Sequence, residues 1–190
     1  MMQNSLLSYL KSESKKFANK DIFDIIVYGS CMMSKEEPKD IDIAVIFFDK
    51  KLDERLKIAQ EFKEKIKNKI KNSDVRGIIL SELFDASFLA RPGILAEGYS
   101  LLNDSWFSEK IGFKGYMLFT YSLTNLNHNE KTKFTYSLIG RKNKGMIETS
   151  EAIPLGKGAL IVPIKNSFLF EDFLKRWKVN FKSKKALISE

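Results

Sequence analysis

Two short segments near the N-terminus carry the side chains whose types and spacing are best suited to chemistry. Gly29 and Ser30 end one apolar run, and Asp40 and Asp42 stand at the start of the next. Because alternate residues of a strand point to the same face, the two carboxylates are predicted to project together. Adjacent like charges repel unless a cation lies between them, and Mg²⁺ favours carboxylates supplemented by phosphate oxygens and water. Glycine lets backbone approach a ligand closely, and Ser30 offers a hydroxyl and an amide to a triphosphate, so these segments predict a metal–nucleotide site.

The segments around these residues predict the elements that must position them. Apolar residues recur every three or four positions in some segments, and form short β-branched runs in others. We expect helices over residues 3–18 and 52–71, a short helix near 83–90, and strands over 21–28, 41–48, 75–80 and 97–102. The first hundred residues therefore read αββαβαβ, an arrangement in which helices cover a mixed sheet.

The second half of the chain is predicted to form a small basic α/β domain. We expect helices over residues 113–126, 130–140 and 168–176, and strands over 159–164 and 179–181. Turn-forming residues over 103–112 predict the boundary. The chain is thus expected to divide into a first domain at 1–102 and a basic C-terminal domain at 103–190, whose family the sequence does not indicate.

The order of strand, Gly29-Ser30, loop and Asp40-x-Asp42 resembles the signature of the DNA polymerase beta-like nucleotidyltransferase superfamily, particularly its minimal stand-alone members. The resemblance covers residues 20–102. It implies an α+β fold with a nucleotidyltransferase-type mixed β-sheet covered by helices. It also implies that the Gly-Ser turn binds an NTP, with ATP expected, that the aspartates hold Mg²⁺, and that a nucleoside monophosphate is transferred to a hydroxyl.

The resemblance implies a third carboxylate on the strand that follows the long helix. Asp74 is the acidic residue at the start of that strand. If the register places Arg76 at the position of the third carboxylate instead, a cation replaces a metal ligand. Two-metal catalysis would then be severely impaired. The loop also departs from the family pattern, because Ser34 stands where a glycine is common. Both registers of the third strand stay open at this point.

Positive charge is concentrated in the second half of the chain. Net charge is +8, with 17 basic against 16 acidic residues over 1–100 and 15 against 8 over 101–190. This excess is expected of a surface that faces a polyanion or a phosphorylated ligand, although solubility alone would also explain it. The candidate nucleic-acid-binding residues are Arg141, Lys142 and Lys144 in a glycine-bounded turn, and Lys175, Arg176 and Lys178 among aromatic residues.

Each of these basic residues has an alternative interpretation. The turn at 140–145 is equally typical of a soluble hairpin loop. Phe173 and Trp177 are more typical of the core face of a terminal helix, with the lysines solvated. Lys39 and Arg91 are further candidates for phosphate contacts, and each is more often a plain surface charge.

Several classes of protein are excluded by composition and spacing. No apolar run approaches the roughly 18–20 residues needed to cross a bilayer, and the N-terminus lacks a secretory pattern, so we expect a cytoplasmic protein. The single cysteine excludes an internal disulfide and a multi-cysteine zinc site. Cys31 is interpreted as a small loop residue and not a catalytic thiol, because the one histidine, His128, is predicted at an exposed helix start. Residues 155–158 lack the spacing of a phosphate-binding loop.

The leading hypothesis is a Mg²⁺-dependent nucleotidyltransferase whose acceptor is a hydroxyl of RNA or of a protein. Small family members often resemble one half of a toxin–antitoxin pair that modifies its partner, which makes a protein acceptor credible. No Arg-x₄-His motif is found in residues 103–190, so no fused toxin half is expected. The sequence leaves the NTP, the acceptor and the oligomeric state open.

Two other hypotheses remain. The main alternative is a catalytically degenerate nucleotidyltransferase fold that acts as a nucleic-acid- or partner-binding module, which Arg76 in place of the third carboxylate would favour. A weaker one is an antibiotic-modifying nucleotidyltransferase. Its cationic substrate would require an acidic acceptor cleft, which the basic second half disfavours.

Overall fold

The chain divides into two units, Met1–Phe113 and Lys114–Glu190. The computed structural model describes residues 4–32 and 40–189. The division falls after Phe113 and not at the predicted 102/103 boundary, because a short strand at Ser105–Trp106 pairs with Tyr99–Ser100 and keeps this segment in the first sheet. Among the helices of the described residues, none combines the length and the apolar composition that a membrane span requires.

The first unit is a mixed five-stranded sheet with helices on both faces. Its elements are α1 (Asn4–Phe17), β1 (Ile22–Tyr28), β2 (Ile41–Phe47), α2 (Leu52–Ile66), β3 (Ser73–Ile79), α3 (Arg91–Glu97), β4 (Tyr99–Ser100), β5 (Ser105–Trp106) and α4 (Phe107–Lys110). The strand order is β3-β2-β1-β4-β5. β1 runs antiparallel to β2 and β4, whereas β2 and β3 are parallel. The predicted α+β fold, a mixed sheet covered by helices, is confirmed.

Each face of this sheet has its own core. On one face, α1 and α2 contribute the fully buried Leu10, Phe62 and Ile66. On the other face, Ile94 of α3 and Phe107 of α4 pack against the alternate residues of the same strands. Burying a side chain of this size stabilises the fold by about 1.5–3 kcal/mol. The strands are therefore held from both sides, which fixes the positions of their ends.

Helix α2 shows how the sequence sets this packing. Ala59, Phe62 and Ile66 recur at helical spacing and form its buried stripe. Acidic residues in its first turn and lysines in its last complement the helix dipole. A Cβ added at Gly77 of β3 would lie 2.5 Å from the carbonyl oxygen of Arg55, so this glycine allows α2 to pack directly on β3. That contact fixes β3 beside β2.

The second unit is built around a four-stranded sheet in the order β7-β8-β6-β9. Its elements are β6 (Phe113–Ser122), α5 (His128–Ile139), α6 (Met146–Thr149), β7 (Ile153–Gly156), β8 (Ala159–Pro163), α7 (Ser167–Arg176) and β9 (Asn180–Ser189). Its core contains the fully buried Phe119, Phe134, Phe170 and Leu174. The helices predicted over 130–140 and 168–176 and the strand over 159–164 are found close to their expected bounds.

The helix predicted over residues 113–126 is wrong, because most of this segment is strand β6. Met117, Phe119 and Tyr121 alternate along it and contact the core of the second unit. A run with apolar residues at nearly every position satisfies both the helical and the strand period. Aromatic and threonine side chains suit the pleated surface of a sheet, and pairing with β8 completes the strand.

Two further elements differ from expectation. The short helix predicted near 83–90 is replaced by a 3₁₀ turn at Leu80–Phe84 and by α3, which begins at Arg91 with a proline in its first turn. Strand β9 spans ten residues and extends well beyond the predicted 179–181.

Candidate active site

Three neighbouring strands bring Tyr28, Asp42 and Asp74 side by side. Tyr28 of β1 pairs with Asp42 of β2, and Asp42 pairs with Asp74 of β3. Adjacent strands lie about 4.8 Å apart, and paired residues point to the same face of the sheet. Arg76 lies two pairs further along, opposite Ala44. The register therefore places Asp74, and not Arg76, next to Asp42.

The carboxylates at this strand end repel one another. Asp40 is exposed just before β2 and lies two residues from Asp42, which is half-buried. Partial burial, and then the negative charges of Asp40 and Asp74, raise the pKa of the Asp42 carboxyl. The positive charge of Arg76 opposes this increase in pKa. A bound cation would relieve the repulsion, which is what a metal site requires of its ligands.

Gly29 makes the turn that follows β1 and places its backbone, which carries no side chain, close to the Asp42 carboxylate. Its φ is +82°, a conformation that L-residues with side chains rarely adopt. A Cβ built at Gly29 would lie 2.9 Å from Oδ2 of Asp42. The next residues form a 3₁₀ turn at Ser30–Met32, in which the Met32 amide donates to the Gly29 carbonyl at 3.2 Å. The turn thus forms a cradle beside the carboxylate that a side chain would fill.

Arg76 holds the third carboxylate. Its Nε donates to Oδ2 of Asp74 at 2.8 Å, and the two side chains are 53% and 48% exposed. This contact with Asp74 raises the pKa of Arg76. Burial raises the pKa of Tyr28 to about 12, and the charge of Arg76 acts against that increase. The guanidinium is therefore within electrostatic reach of Tyr28, Asp42 and Asp74 together.

The donor set at this strand end fits a divalent cation of the Mg²⁺ type. Mg²⁺ takes oxygen ligands, usually one or two carboxylates completed by phosphate and water. Among the residues that the structure describes, no three acidic, histidine or cysteine side chains are already arranged as a metal-binding group. Asp40 and Asp42 are the residues that would hold the cation, and Asp74 would join them after release from Arg76.

The other residues predicted near this site are described only in part by the structure. Lys39 and Ser34 lie outside the described residues, as does the side chain of Ser30. Arg91 is the first residue of α3. Their predicted roles stay predictions.

Cys31 is a packing residue of the turn. It is 2% exposed, and its Sγ donates to the Tyr28 carbonyl at 3.2 Å. Burial, and then the charge of Asp42, raise the pKa of the thiol to about 12. Since the thiolate is the nucleophile, this cysteine is unsuited to covalent catalysis. The only histidine, His128, is exposed at the first position of α5.

The candidate nucleic-acid-binding residues lie in the second unit, and several are paired with acidic neighbours. Three ion pairs are formed at 2.6–2.8 Å: Lys144 with Glu148, Lys175 with Glu171, and Arg176 with Asp172. The guanidinium of Arg141 lies 5.1 Å from the centre of the Tyr136 ring. Lys142 follows Arg141 in the same turn, and Lys178 follows α7. The neutralised pairs reduce the positive charge that this surface offers to a polyanion.

The aromatic residues among these lysines belong to the core. Trp177 packs edge-to-face on Phe134 with ring centres 5.7 Å apart, and Phe173 lies 5.4 Å from the same ring. The interpretation of these aromatics as core residues therefore agrees with the structure.

Sequence reasoning did not anticipate that Tyr28 and Arg76 share one surface with the carboxylates. The sequence did contain this information, because side chains along a strand alternate between the two faces of the sheet. Asp74 and Arg76 are two residues apart and must point to the same face, so the choice between them was never exclusive. Tyr28 precedes Gly29 and faces Asp42 by the pairing of β1 with β2.

Part of the chain is similar to known proteins. Residues 11–85 match the family model described as "Polymerase beta, Nucleotidyltransferase". A search of curated proteins finds no match. Among solved structures, the chain is similar to one from the tri-AMPylated Shewanella oneidensis HEPN toxin in complex with MNT antitoxin, at 20% identity and a TM-score of 0.38. That alignment covers 55% of this chain and 78% of the other.

A second similar structure is the toxin–antitoxin complex MntA-HepT, at 21% identity and a TM-score of 0.35. The alignment covers 57% of this chain and 82% of that one. The match to the polymerase beta nucleotidyltransferase family covers residues 11–85 of the present chain.

Proposed function

We propose that this chain is a Mg²⁺-dependent nucleotidyltransferase that transfers a nucleoside monophosphate from an NTP, with ATP as the expected donor, to a hydroxyl. The observation that carries the proposal is the register of β2 and β3, which aligns Asp74 with Asp42. Asp40, Asp42 and Asp74 then supply oxygen ligands at one strand end. Gly29 supplies the adjacent backbone cradle, and Ser30 the first amide of the turn.

In such a transfer, the acceptor oxygen forms a bond to the α-phosphorus while the bond to the pyrophosphate leaving group breaks. Bound Mg²⁺ would supply activation of the acceptor hydroxyl and neutralisation of the charge on the leaving pyrophosphate. Asp40 and Asp42 fix where positive charge can bind, and the Gly29 turn keeps a side chain out of the space beside Asp42. The contribution of the protein is therefore positioning and charge neutralisation.

The proposed acceptor is a hydroxyl of RNA or of a partner protein, and the proposed location is the cytoplasm. The exposed basic residues of the second unit support RNA. The ion pairs of Lys144, Lys175 and Arg176 leave Arg141, Lys142 and Lys178 as the stronger candidates for phosphate contacts. Screening both acceptor classes with α-labelled ATP separates them, because the label moves either to RNA or to protein.

The proposal is tested by calorimetry of ATP binding with and without Mg²⁺. Wild-type protein should bind ATP only with Mg²⁺, and Asp40→Ala/Asp42→Ala should weaken binding by about tenfold or more. A matched control is Glu61→Ala/Glu64→Ala, which removes two exposed charges from α2, on the opposite face of the sheet. No binding by folded wild-type protein, or equal loss in the control, would refute the enzyme hypothesis.

The ion pair between Asp74 and Arg76 favours a second candidate, a degenerate nucleotidyltransferase fold that serves as a binding module. If the guanidinium permanently occupies the third carboxylate, the site lacks a ligand and transfer fails. Under that hypothesis, labelled NMP never reaches an acceptor, whereas the protein still binds RNA or a protein partner. Transfer that depends on Asp74 would reject it.

A further inference from the structure

Arg76 is an unusual residue at the end of a row of carboxylates, and its position suggests more than neutralisation of Asp74. The guanidinium uses Nε to contact Asp74 and is about half exposed. An arginine carries five N–H donors in a planar fork that matches the oxygens of a phosphate group. Its opposite neighbour on β2, Ala44, has only a methyl side chain. The side chain is therefore not enclosed by its strand neighbour and remains accessible from solvent.

The charges of the site indicate which group the Arg76 guanidinium should contact after ligands bind. Asp40, Asp42 and Asp74 carry three negative charges, and Arg76 carries one positive charge. A divalent cation that takes Asp74 as a ligand competes with Arg76 for the same oxygen. A nucleoside triphosphate brings further negative charge to the strand end near which Arg76 lies.

An exposed ion pair contributes little to stability, so the contact between Arg76 and Asp74 breaks at small cost. A phosphate group is a better partner for the displaced guanidinium, because arginine and phosphate form short, charge-assisted and frequently bidentate hydrogen bonds. The side chain stays next to the site in either position, since β3 holds its backbone two pairs away from Asp42 and Asp74, on the same face of the sheet.

We propose that Arg76 is a nucleotide-binding residue that exchanges partners: it pairs with Asp74 in the protein alone, and it contacts the polyphosphate of the NTP when a divalent cation and nucleotide bind. This inference rests on the proposed nucleotidyltransferase function. It reconciles an arginine beside the third carboxylate with a working site, because Arg76 would restrain Asp74 only until the ligands arrive.

The inference predicts effects of opposite sign from one substitution. Without nucleotide, Arg76→Gln should bind Mn²⁺ about threefold to tenfold more tightly than wild type, because a competitor for Asp74 is removed. With Mg²⁺ present, the same variant should bind the non-cleavable analogue α,β-methylene-ATP about tenfold more weakly, because a phosphate ligand is lost. Arg76→Lys should show intermediate values for both, since it keeps the charge and loses the fork.

The measurements are electron paramagnetic resonance of free Mn²⁺ and calorimetry with the ATP analogue. Lys57→Gln is the matched control, because it removes one exposed positive charge from α2 on the other face of the sheet. It should leave both affinities unchanged. Circular dichroism melting checks that Arg76→Gln remains folded, as expected for an exposed side chain.

The outcomes separate this inference from the proposed function. If wild type binds the analogue through Asp40 and Asp42 but Arg76→Gln binds it equally well, Arg76 is not a nucleotide ligand and the inference is overturned alone. If Arg76→Gln weakens Mn²⁺ binding, the idea of competition for Asp74 is overturned. If wild type binds neither ligand, the proposed function falls and the inference with it.

Discussion

At Gly29, the backbone conformation and the chemistry of the site depend on the same missing side chain. Its φ of +82° strains any L-residue, and a Cβ there would lie 2.9 Å from Oδ2 of Asp42. Gly29→Ala should therefore destabilise the first unit by about 1–2 kcal/mol and also displace the carboxylate. Gly112→Ala is a matched control, because Gly112 has a φ of +80° and its added Cβ would meet nothing within 4 Å.

Urea unfolding of both glycine variants separates the backbone strain caused by a positive φ from the close contact between the added Cβ and Asp42. Strain is common to the two positions, so the extra loss at Gly29 measures the contact with Asp42. Mg²⁺-dependent ATP binding should fall in Gly29→Ala and stay at the wild-type level in Gly112→Ala. Equal stability losses together with intact ATP binding in both would show that the cradle is not used.

We expect Asp42 to lower the stability of the fold at neutral pH. Partial burial and the charges of Asp40 and Asp74 raise its pKa in the folded protein. A carboxyl whose pKa is higher folded than unfolded loses stability as the pH rises from its ordinary value of about 3.9 through the raised value. Asp42→Asn should thus gain up to about 1 kcal/mol at pH 7, even though it removes a proposed metal ligand.

Urea unfolding at pH 7 and at pH 3 tests this prediction. The gain of Asp42→Asn should disappear at the lower pH, where the wild-type carboxyl is protonated in both states. If Asp42→Asn is less stable than wild type at pH 7, repulsion among these carboxylates does not destabilise the fold.

The candidate site was partly predictable at the level of single residues. The order of Gly29, Asp40 and Asp42 along the chain is a local pattern, and alternation in β2 fixes the common face of the two aspartates. The partner of Asp42 on β3 was not predictable, because the register depends on how α2 packs between β2 and β3. The ion pair between Asp74 and Arg76 depends on that register and on rotamers, neither of which a sequence pattern encodes.

At the scale of elements, the buried Asp24 joins β1 to β4 and to the segment that follows β4. Its carboxylate is inaccessible to solvent and accepts four hydrogen bonds at 2.8–3.1 Å. The donors are the Ile25 amide, the Ser100 hydroxyl, the Asn103 amide group and the Lys110 ammonium. Asp24→Ala leaves all four without this acceptor, so we expect a loss of about 3–5 kcal/mol in the free energy of unfolding.

The control for Asp24→Ala is Glu64→Ala, which breaks an exposed ion pair with Lys67 on α2. A pair at this spacing of three residues is worth about 0.2–0.5 kcal/mol. Both residues lie in the first unit, so urea unfolding compares them directly. Similar small losses for the two variants would mean that the Asp24 network does not hold β4 to β1.

The elements differ in how far the sequence could predict them. Helix α2 was predictable because its stripe of Ala59, Phe62 and Ile66 is a local period. Strand β6 was not, because its aromatic run fits two periods and its partner β8 lies far along the chain, with Met117 paired to Val162. Pairing across that separation, and not the local pattern, decides between helix and strand.

At the scale of the whole molecule, the two units have separate hydrophobic cores. The clusters of the first unit and that of the second share no residue. Each unit also contains one tryptophan, since Trp106 packs edge-to-face on Tyr99 and Trp177 packs on Phe134. Single-tryptophan variants can therefore report the unfolding of each unit by fluorescence.

We expect a core substitution to shift only the transition of its own unit. Phe62→Ala and Phe170→Ala each remove a fully buried ring and should cost about 3–5 kcal/mol locally. In Trp177→Phe, which keeps Trp106, the urea midpoint should fall with Phe62→Ala and not with Phe170→Ala. In Trp106→Phe, which keeps Trp177, the urea midpoint should instead fall with Phe170→Ala and not with Phe62→Ala. The control Leu56→Ala truncates a side chain that is 53% exposed and should shift neither midpoint appreciably. A single shared transition that moves with both core substitutions would instead show that the two cores unfold as one cooperative unit, because only coupled cores transmit a local loss to the tryptophan of the other unit.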